Sequence, residues 1–222
     1  MTDKPRPLDQ LQALAVQEVE VTPGLRHLEL YTMGGLLTLL WHGNPTAPRV
    51  VLACGGAMGS LLGPAEGLYQ DLGFELAPQG IGVVRVGYRR PNDLGACVHD
   101  LAAAAELAAR QGAKRFVTMG HSFGGAVAVR LAVAAPELVV GVVTLATQSA
   151  GCEDADRLTC PLLMFHGDRD ELLPPAASET VRMIAGRGEL VVLPGAGHLL
   201  TEAATELRAR LRTWLPATFE TA

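Results

Sequence analysis

The sequence predicts an α/β protein, a single domain over residues 1–222. It has a mostly parallel sheet of about eight strands with helices on both faces and an antiparallel hairpin at its N-terminal end. Three observations predict it. Short apolar runs recur at residues 50–53, 81–88, 116–119, 139–146 and 161–165, and helical patterns separate most of them. Apart from Arg85, Thr118 and Thr144 these runs are apolar rather than alternating, which is the mark of strands buried on both sides in a parallel sheet. The composition, 49% hydrophobic and 18% charged over 222 residues, suits one sizeable core and excludes a disordered chain.

In chain order, residues 1–10 are polar and proline-bearing. They read as a loose tail, and residues 1–20 as a loosely attached segment. Residues 25–32 alternate in places, with Leu28 and Leu30 against His27 and Glu29. A turn at Gly34-Gly35 and a second strand at 36–41 complete the hairpin. His42-Gly43-Asn44-Pro45 turns the chain again, and residues 50–53 run into Cys54-Gly55-Gly56-Ala57-Met58-Gly59. A helix is expected over 65–78, weakened by Gly67 and Gly73 and closed by Gly80. The strand at 81–88 follows. A long helix over 93–111 comes next, capped by Asn92 or Asp93 and stopped by Gly112. After the strand at 116–119 comes a helix to about residue 135, then the strand at 139–146, a loop, and the strand at 161–165. A helix over 175–185, a strand over 189–193 and a closing helix over 201–214 end the chain, with Leu207, Leu211 and Trp214 at helical spacing.

The most informative stretch is Gly120-His121-Ser122-Phe123-Gly124, of the form G-x-S-x-G. It stands between the strand at 116–119 and a helix, where this motif means a nucleophile elbow holding Ser122 out at the top of a sheet. A serine hydroxyl is a weak nucleophile at neutral pH and needs a base, which in turn needs an acid to orient it. Of the six histidines, only His198 sits in a glycine-flanked loop after the last strand. Asp168 and Asp170 both follow the strand at 161–165, with Glu171 a more remote third choice for the acid. Sites on such sheets form at the carboxyl ends of strands. The elbow, residues 54–59, Tyr88-Arg89, Asp168/Asp170 and His198 all follow strand ends.

From about residue 25 onward the chain resembles the α/β-hydrolase family. The matching motifs are Gly-His-Ser-Phe-Gly-Gly at 120–125, His-Gly-Asp-Arg-Asp-Glu-Leu-Leu-Pro at 166–174 and Gly-Ala-Gly-His at 195–198. The order serine, acid, histidine is that family's order. The resemblance implies Ser122 as nucleophile and His198 as base. It favours Asp170 over Asp168 as acid, because the acid commonly precedes a hydrophobic residue and a proline. It also implies an oxyanion hole from the amides of Phe123 and Gly56, with Ala57 in reserve. Cys54 stands where the family often has histidine, and is expected to be a small buried filler. His42-Gly43-Asn44-Pro45-Thr46 is similar to the oxyanion segment of haloalkane dehalogenases. Here Pro48-Arg49 leads from it into the strand at 50–53, so it reads as a turn between strands. The dienelactone-hydrolase-like branch is similar in size but uses a cysteine nucleophile, and no cysteine occupies this elbow.

Only residues 147–160 separate the strand after the elbow helix from the next, which is too short for a helical cap domain. The expected site is open, with Met58, Leu61, Leu62, Tyr88, Arg89, Phe123, Gln148 and Leu172 around it, and Arg89 or Arg90 available to an anionic substrate group. The implied reaction is hydrolysis of small to medium carboxylic esters without metal or cofactor. Thioester, amide, acyl-transfer and perhydrolase chemistry would use the same residues, and a non-catalytic binding protein on the same fold is the rival class.

A net charge of −5 and the lack of any basic cluster beyond Arg89-Arg90 and Lys114-Arg115 speak against nucleic acid. No apolar stretch is long enough to span a membrane. The N-terminus lacks the apolar core of a signal peptide, and the four cysteines lack zinc or redox spacing, so reduced thiols in a cytoplasmic monomer or homodimer are expected.

Overall fold

A computed structural model describes residues 6–221; residues 1–5 of the predicted tail, and residue 222, lie outside the described residues. Nine strands form one sheet: β1 (Ala13–Thr22), β2 (Leu25–Thr32), β3 (Gly35–His42), β4 (Arg49–Cys54), β5 (Ile81–Gly87), β6 (Arg115–His121), β7 (Val139–Leu145), β8 (Leu162–Gly167) and β9 (Glu189–Leu193). Their order across the sheet is β1-β2-β3-β5-β4-β6-β7-β8-β9. The β1–β2, β2–β3 and β3–β5 pairs are antiparallel, and every pair from β5 onward across the sheet is parallel.

The helices are α1 (Pro7–Gln10), α2 (Pro64–Leu76), α3 (Leu94–Gln111), α4 (Phe123–Ala134), α5 (Ala176–Ala185) and α6 (Ala204–Glu220). Side chains alternate across a strand, so β4 sends Val50, Leu52 and Cys54 into the core beneath α3, α4 and α5. Val51 and Ala53 enter the core beneath α2 and α6. That double burial is why the central strands are mostly apolar on both faces. No helix among the described residues is long and apolar enough to cross a membrane.

Three sequence expectations need correction. Residues 13–20, expected in the loosely attached segment, belong to β1 (Ala13–Thr22) and pair along β2, which brings the sheet of about eight strands to nine. Every residue of β1 is exposed, so it lacks the buried face that makes a strand legible. The helix expected from residue 65 opens on a left-handed stretch, Ala65, Glu66 and Gly67, at φ of 51°, 60° and 98°. The closing helix runs past 214 to Glu220, because Leu215 and Phe219 extend the buried stripe of Leu207 and Leu211. Asp93, rather than Asn92, caps α3, accepting from the Ala96 amide at 3.0 Å. Between β7 and β8 only a single short turn of 3-10 helix, Ala155–Arg157, interrupts the loop, and no cap domain is inserted.

Candidate active site

Ser122 lies between the end of β6 and the first residue of α4, at φ 55° and ψ −120°. A non-glycine residue at positive φ is strained and persists only where its surroundings hold it. Here they do. The Ser122 amide donates to Leu145 O at 2.8 Å, and Ser122 O accepts from the Gly125 amide at 3.0 Å. The neighbouring glycines are required by close approach. A Cβ on Gly120 would lie 1.9 Å from Gly124 O, and one on Gly124 would lie 2.3 Å from Gly55 O. The elbow is therefore pressed against the loop that follows β4.

That loop is held by two buried phenols. Tyr69 on α2 donates to Cys54 O at 2.8 Å, and Tyr88 at the end of β5 donates to Gly55 O at 3.0 Å. In a trans peptide the C=O and N–H point in opposite directions, so fixing Gly55 O fixes the direction of the Gly56 N–H. Gly56 sits beside the elbow, since a Cβ built on it would be 3.5 Å from Ser122 Cβ. The Phe123 amide, first in α4, has no acceptor within its own helix. The two amides expected to receive an oxyanion thus flank Ser122.

Asp170 follows β8 and His198 follows β9. Asp170 Oδ2 is 2.7 Å from His198 Nδ1, and Oδ1 accepts from the amides of Leu172 and Leu173 at 2.9 and 2.8 Å. Burial alone would push the Asp170 carboxyl up, but the Leu173 amide, the His198 ring and the Leu172 amide outweigh it and hold it below the usual carboxylate range. Asp168 does something else: its carboxylate accepts from the Gly195 amide at 2.6 Å and ties the two loops together. The structure therefore places Asp170, not Asp168, on the histidine. His121 Nε2 bonds His198 O at 3.0 Å, and the two rings lie 4.8 Å apart, tilted by 52°. Burial pushes the His121 imidazole down to about 4, so it is neutral at ordinary pH.

Ser122 and His198 line one open cleft of about 350 Å³, with Gly56, Met58, Leu172 and Leu199. Met58, Leu172 and Leu199 are 93%, 73% and 59% exposed and form an apolar rim. Leu61, Leu62, Phe123 and Gln148, expected around the site, are not part of the cleft wall; the Gln148 side chain bonds Ala150 O. Tyr88 and Arg89, expected at the substrate, are also elsewhere. Tyr88 is buried beneath the Gly55 loop, packed edge-on against Phe123. Arg89 is taken up by Asp100 of α3, which accepts from its Nε at 2.5 Å and from its amide at 2.8 Å. Arg90 bonds Gly34 O on the hairpin turn. Cys54 is fully buried with its sulfur against Gly124 O, and burial pushes its thiol up to about 12. It fills space beneath the elbow. His42 ends β3 under an edge-on Phe74, so its segment is the turn the sequence suggested. Among the described residues, no three His, Cys, Asp or Glu side chains gather as a metal-ligand set.

A sequence profile of the alpha/beta hydrolase family matches residues 64–199, more than half of the chain, from the start of α2 through His198. The chain belongs to the alpha/beta hydrolase family. Its sheet, with an antiparallel N-terminal part and helices on both faces, is that family's fold. Est1E from Butyrivibrio proteoclasticus superposes with a TM-score of 0.76 at 15% identity, over 87% of this chain and 99% of that one. Dienelactone hydrolase from Anabaena variabilis gives 0.73 at 20% identity, over 91% and 98%. Monoacylglycerol lipase from Paleococcus ferrophilus gives 0.67 at 17% identity, over 82% and 99%. At such identities the likeness is one of fold. No curated protein matches the chain in sequence.

Sequence reasoning missed Tyr69, Asp100 and Thr147 around this hydrolase site. Thr147 packs against Gly125, where a Cβ would lie 2.1 Å from its Oγ1. The doubled glycine after Phe123 was the available signal that something approaches α4 closely on that side.

Proposed function

We propose that the chain is a serine hydrolase that cleaves carboxylic esters of small to medium substrates through an acyl-enzyme. The observation that carries this reading is the Asp170–His198 bond at 2.7 Å beside a serine held on a strained elbow, with Ser122 and His198 on one cleft. A carboxylate only accepts, so His198 Nδ1 carries a proton, and in the neutral imidazole Nε2 is then the nitrogen with the lone pair of a general base. Ser122 Oγ attacks the acyl carbon as Nε2 takes its proton. The amides of Phe123 and Gly56 receive the charge on the carbonyl oxygen. His198 then gives the proton to the departing alcohol, and a water activated by the same nitrogen releases the acid and restores Ser122.

The neutral, apolar rim of Met58, Leu172 and Leu199 supports an uncharged acyl group. Arg89 is engaged by Asp100, which removes the earlier reason to expect a carboxylate on the substrate. Among the structural neighbours, Est1E has been solved with ferulic acid bound, which is in keeping with a carboxylic acid product. The test is hydrolysis of short p-nitrophenyl esters by the wild-type protein and Ser122→Ala. The expected loss is at least about 1000-fold, together with fluorophosphonate labelling of Ser122 in the wild type alone. Equal rates would overturn the assignment.

A further inference from the structure

His166, at the end of β8, is fully buried and takes no part in the steps above. Its Nε2 is 2.8 Å from Leu173 O and 3.2 Å from Asp170 Oδ2. Its Nδ1 is 2.7 Å from Ser178 Oγ on α5. Leu173 O only accepts, so Nε2 carries a proton directed to it, and Nδ1 bonds the serine hydroxyl. The ring is engaged at both nitrogens. Asp170 Oδ2 thus lies between two imidazoles: it bonds His198 Nδ1 on the cleft side and stands 3.2 Å from His166 Nε2 on the core side, whose N–H is directed to Leu173 O. The Asp170 side chain is itself fully buried, as are His166 and Ser178. A row of Ser178, His166, Asp170 and His198 therefore runs from the core helix α5 to the cleft.

We infer that His166 is a positioning residue: fixed to Leu173 O of the acid's own turn, it aims the Asp170 carboxylate at His198 and, with its ring edge 3.2 Å from Oδ2, sets how strongly that carboxylate holds the His198 ring. The inference rests on the reading of Ser122, Asp170 and His198 given above. Asp170 has its Oδ1 fixed by the Leu172 and Leu173 amides. Among the described residues Oδ2 is held by His198 alone, and the His166 ring, fixed by Leu173 O and Ser178 Oγ, closes its core side. The positive edge of that ring, 3.2 Å away, also stabilises the charge on Oδ2. Without it the carboxylate would attract a proton on His198 more strongly, and the base would be neutral only at higher pH. The other titratable groups near the pair are His121, its ring tilted against His198, and Arg169, Glu171 and Glu202 on the outer side of the His198 loop. None of these bonds Oδ2.

The experiment measures kcat and KM on a neutral p-nitrophenyl ester across pH for wild type, His166→Phe, His166→Gln, Ser178→Ala and Ser122→Ala. His166→Phe keeps bulk but removes the N–H. It should lower kcat about tenfold with KM nearly unchanged, and move the acid limb of kcat/KM upward by about half a unit or more. His166→Gln, whose side-chain amide nitrogen reaches the same place, should return the limb toward wild type. Ser178→Ala should move the limb in the same direction by less, and shift the low-field proton resonance of His198 Nδ1–H. A folded His166→Phe with an unmoved limb and unchanged kcat overturns the inference. So does an equal loss in the Phe and Gln variants with no shift of the limb. Should His166→Phe fail to fold, an unmoved limb and resonance in Ser178→Ala overturn it instead. Full ester cleavage by Ser122→Ala would remove the underlying reading and the inference with it.

Discussion

At the scale of single residues, burial sets which side chains are available for chemistry. The four cysteines are free and buried, and burial raises each thiol, with Cys54, Cys97 and Cys152 pushed up to about 12. Native protein treated with iodoacetamide at pH 8 should stay unlabelled by intact mass while retaining ester turnover, and unfolded protein should take up four labels. His42 and His121 are also buried, and burial lowers both imidazoles to about 4. Their folded pKa lies below the ordinary value near 6.5, so the unfolded chain binds the extra protons. Stability is therefore complete above pH 6.5 and falls as the pH drops toward 4, by roughly 3 kcal/mol per histidine at most. Urea melts between pH 7 and 4 should show that decline, and His42→Leu should flatten part of it. The residue scale is also where the sequence was most legible. Ser122, Asp170 and His198 stand in motifs whose glycines and prolines are demanded by local backbone geometry, and local geometry is written in adjacent residues. Tyr88 and Arg89 were placed at the right strand end but given the wrong partners. Which way a side chain turns at a strand end depends on α3 and the hairpin packed there, and neither is adjacent in sequence.

Elements carry the next set of consequences. The elbow joins β6, α4 and the loop after β4 at contacts with no room for a methyl group. Gly120→Ala is expected to cost more than about 4 kcal/mol or abolish soluble expression. Gly186→Ala, at φ 61° with nothing within 4 Å of the added Cβ, should cost only about 1 kcal/mol. Thermal melts of the two variants side by side check the contrast. Arg89 joins β5 to α3 through Asp100, and removing it leaves a buried carboxylate unpaired. Arg89→Ala should lose roughly 3 kcal/mol of stability, while its KM for a neutral ester stays close to wild type. A large rise in KM would return Arg89 to the substrate. The central strands were read nearly to the residue because both of their faces are buried. β1 was missed for the opposite reason. Its apolar residues slip phase, Leu14 and Val16 on even positions and Val19 and Val21 on odd ones, and none of them is buried.

Across the whole molecule, the sheet brings chain segments far apart in sequence to one edge. Cys54, Tyr88, Ser122, Asp170 and His198 all follow the carboxyl ends of parallel strands, and the parallel register guarantees that those ends line up. This much followed from the alternation of strands and helices alone. The two phenols that hold the Gly55 loop could not be read in the same way, because Tyr69 reaches Cys54 O only through the packing of α2 on the sheet. Tyr69→Phe removes one hydroxyl and leaves a fully buried carbonyl without its donor. It should lower kcat more than it raises KM, and stability should fall by about 1–2 kcal/mol. Steady-state kinetics and a urea melt together test this.

The short loop between β7 and β8 has a consequence for how such a site would work. Among the described residues no inserted domain covers Ser122, so a substrate meets an open cleft. Water must be displaced by the substrate itself as it settles on Met58, Leu172 and Leu199. A bulky acyl group then acts as its own roof, and a very small one leaves the hole wet.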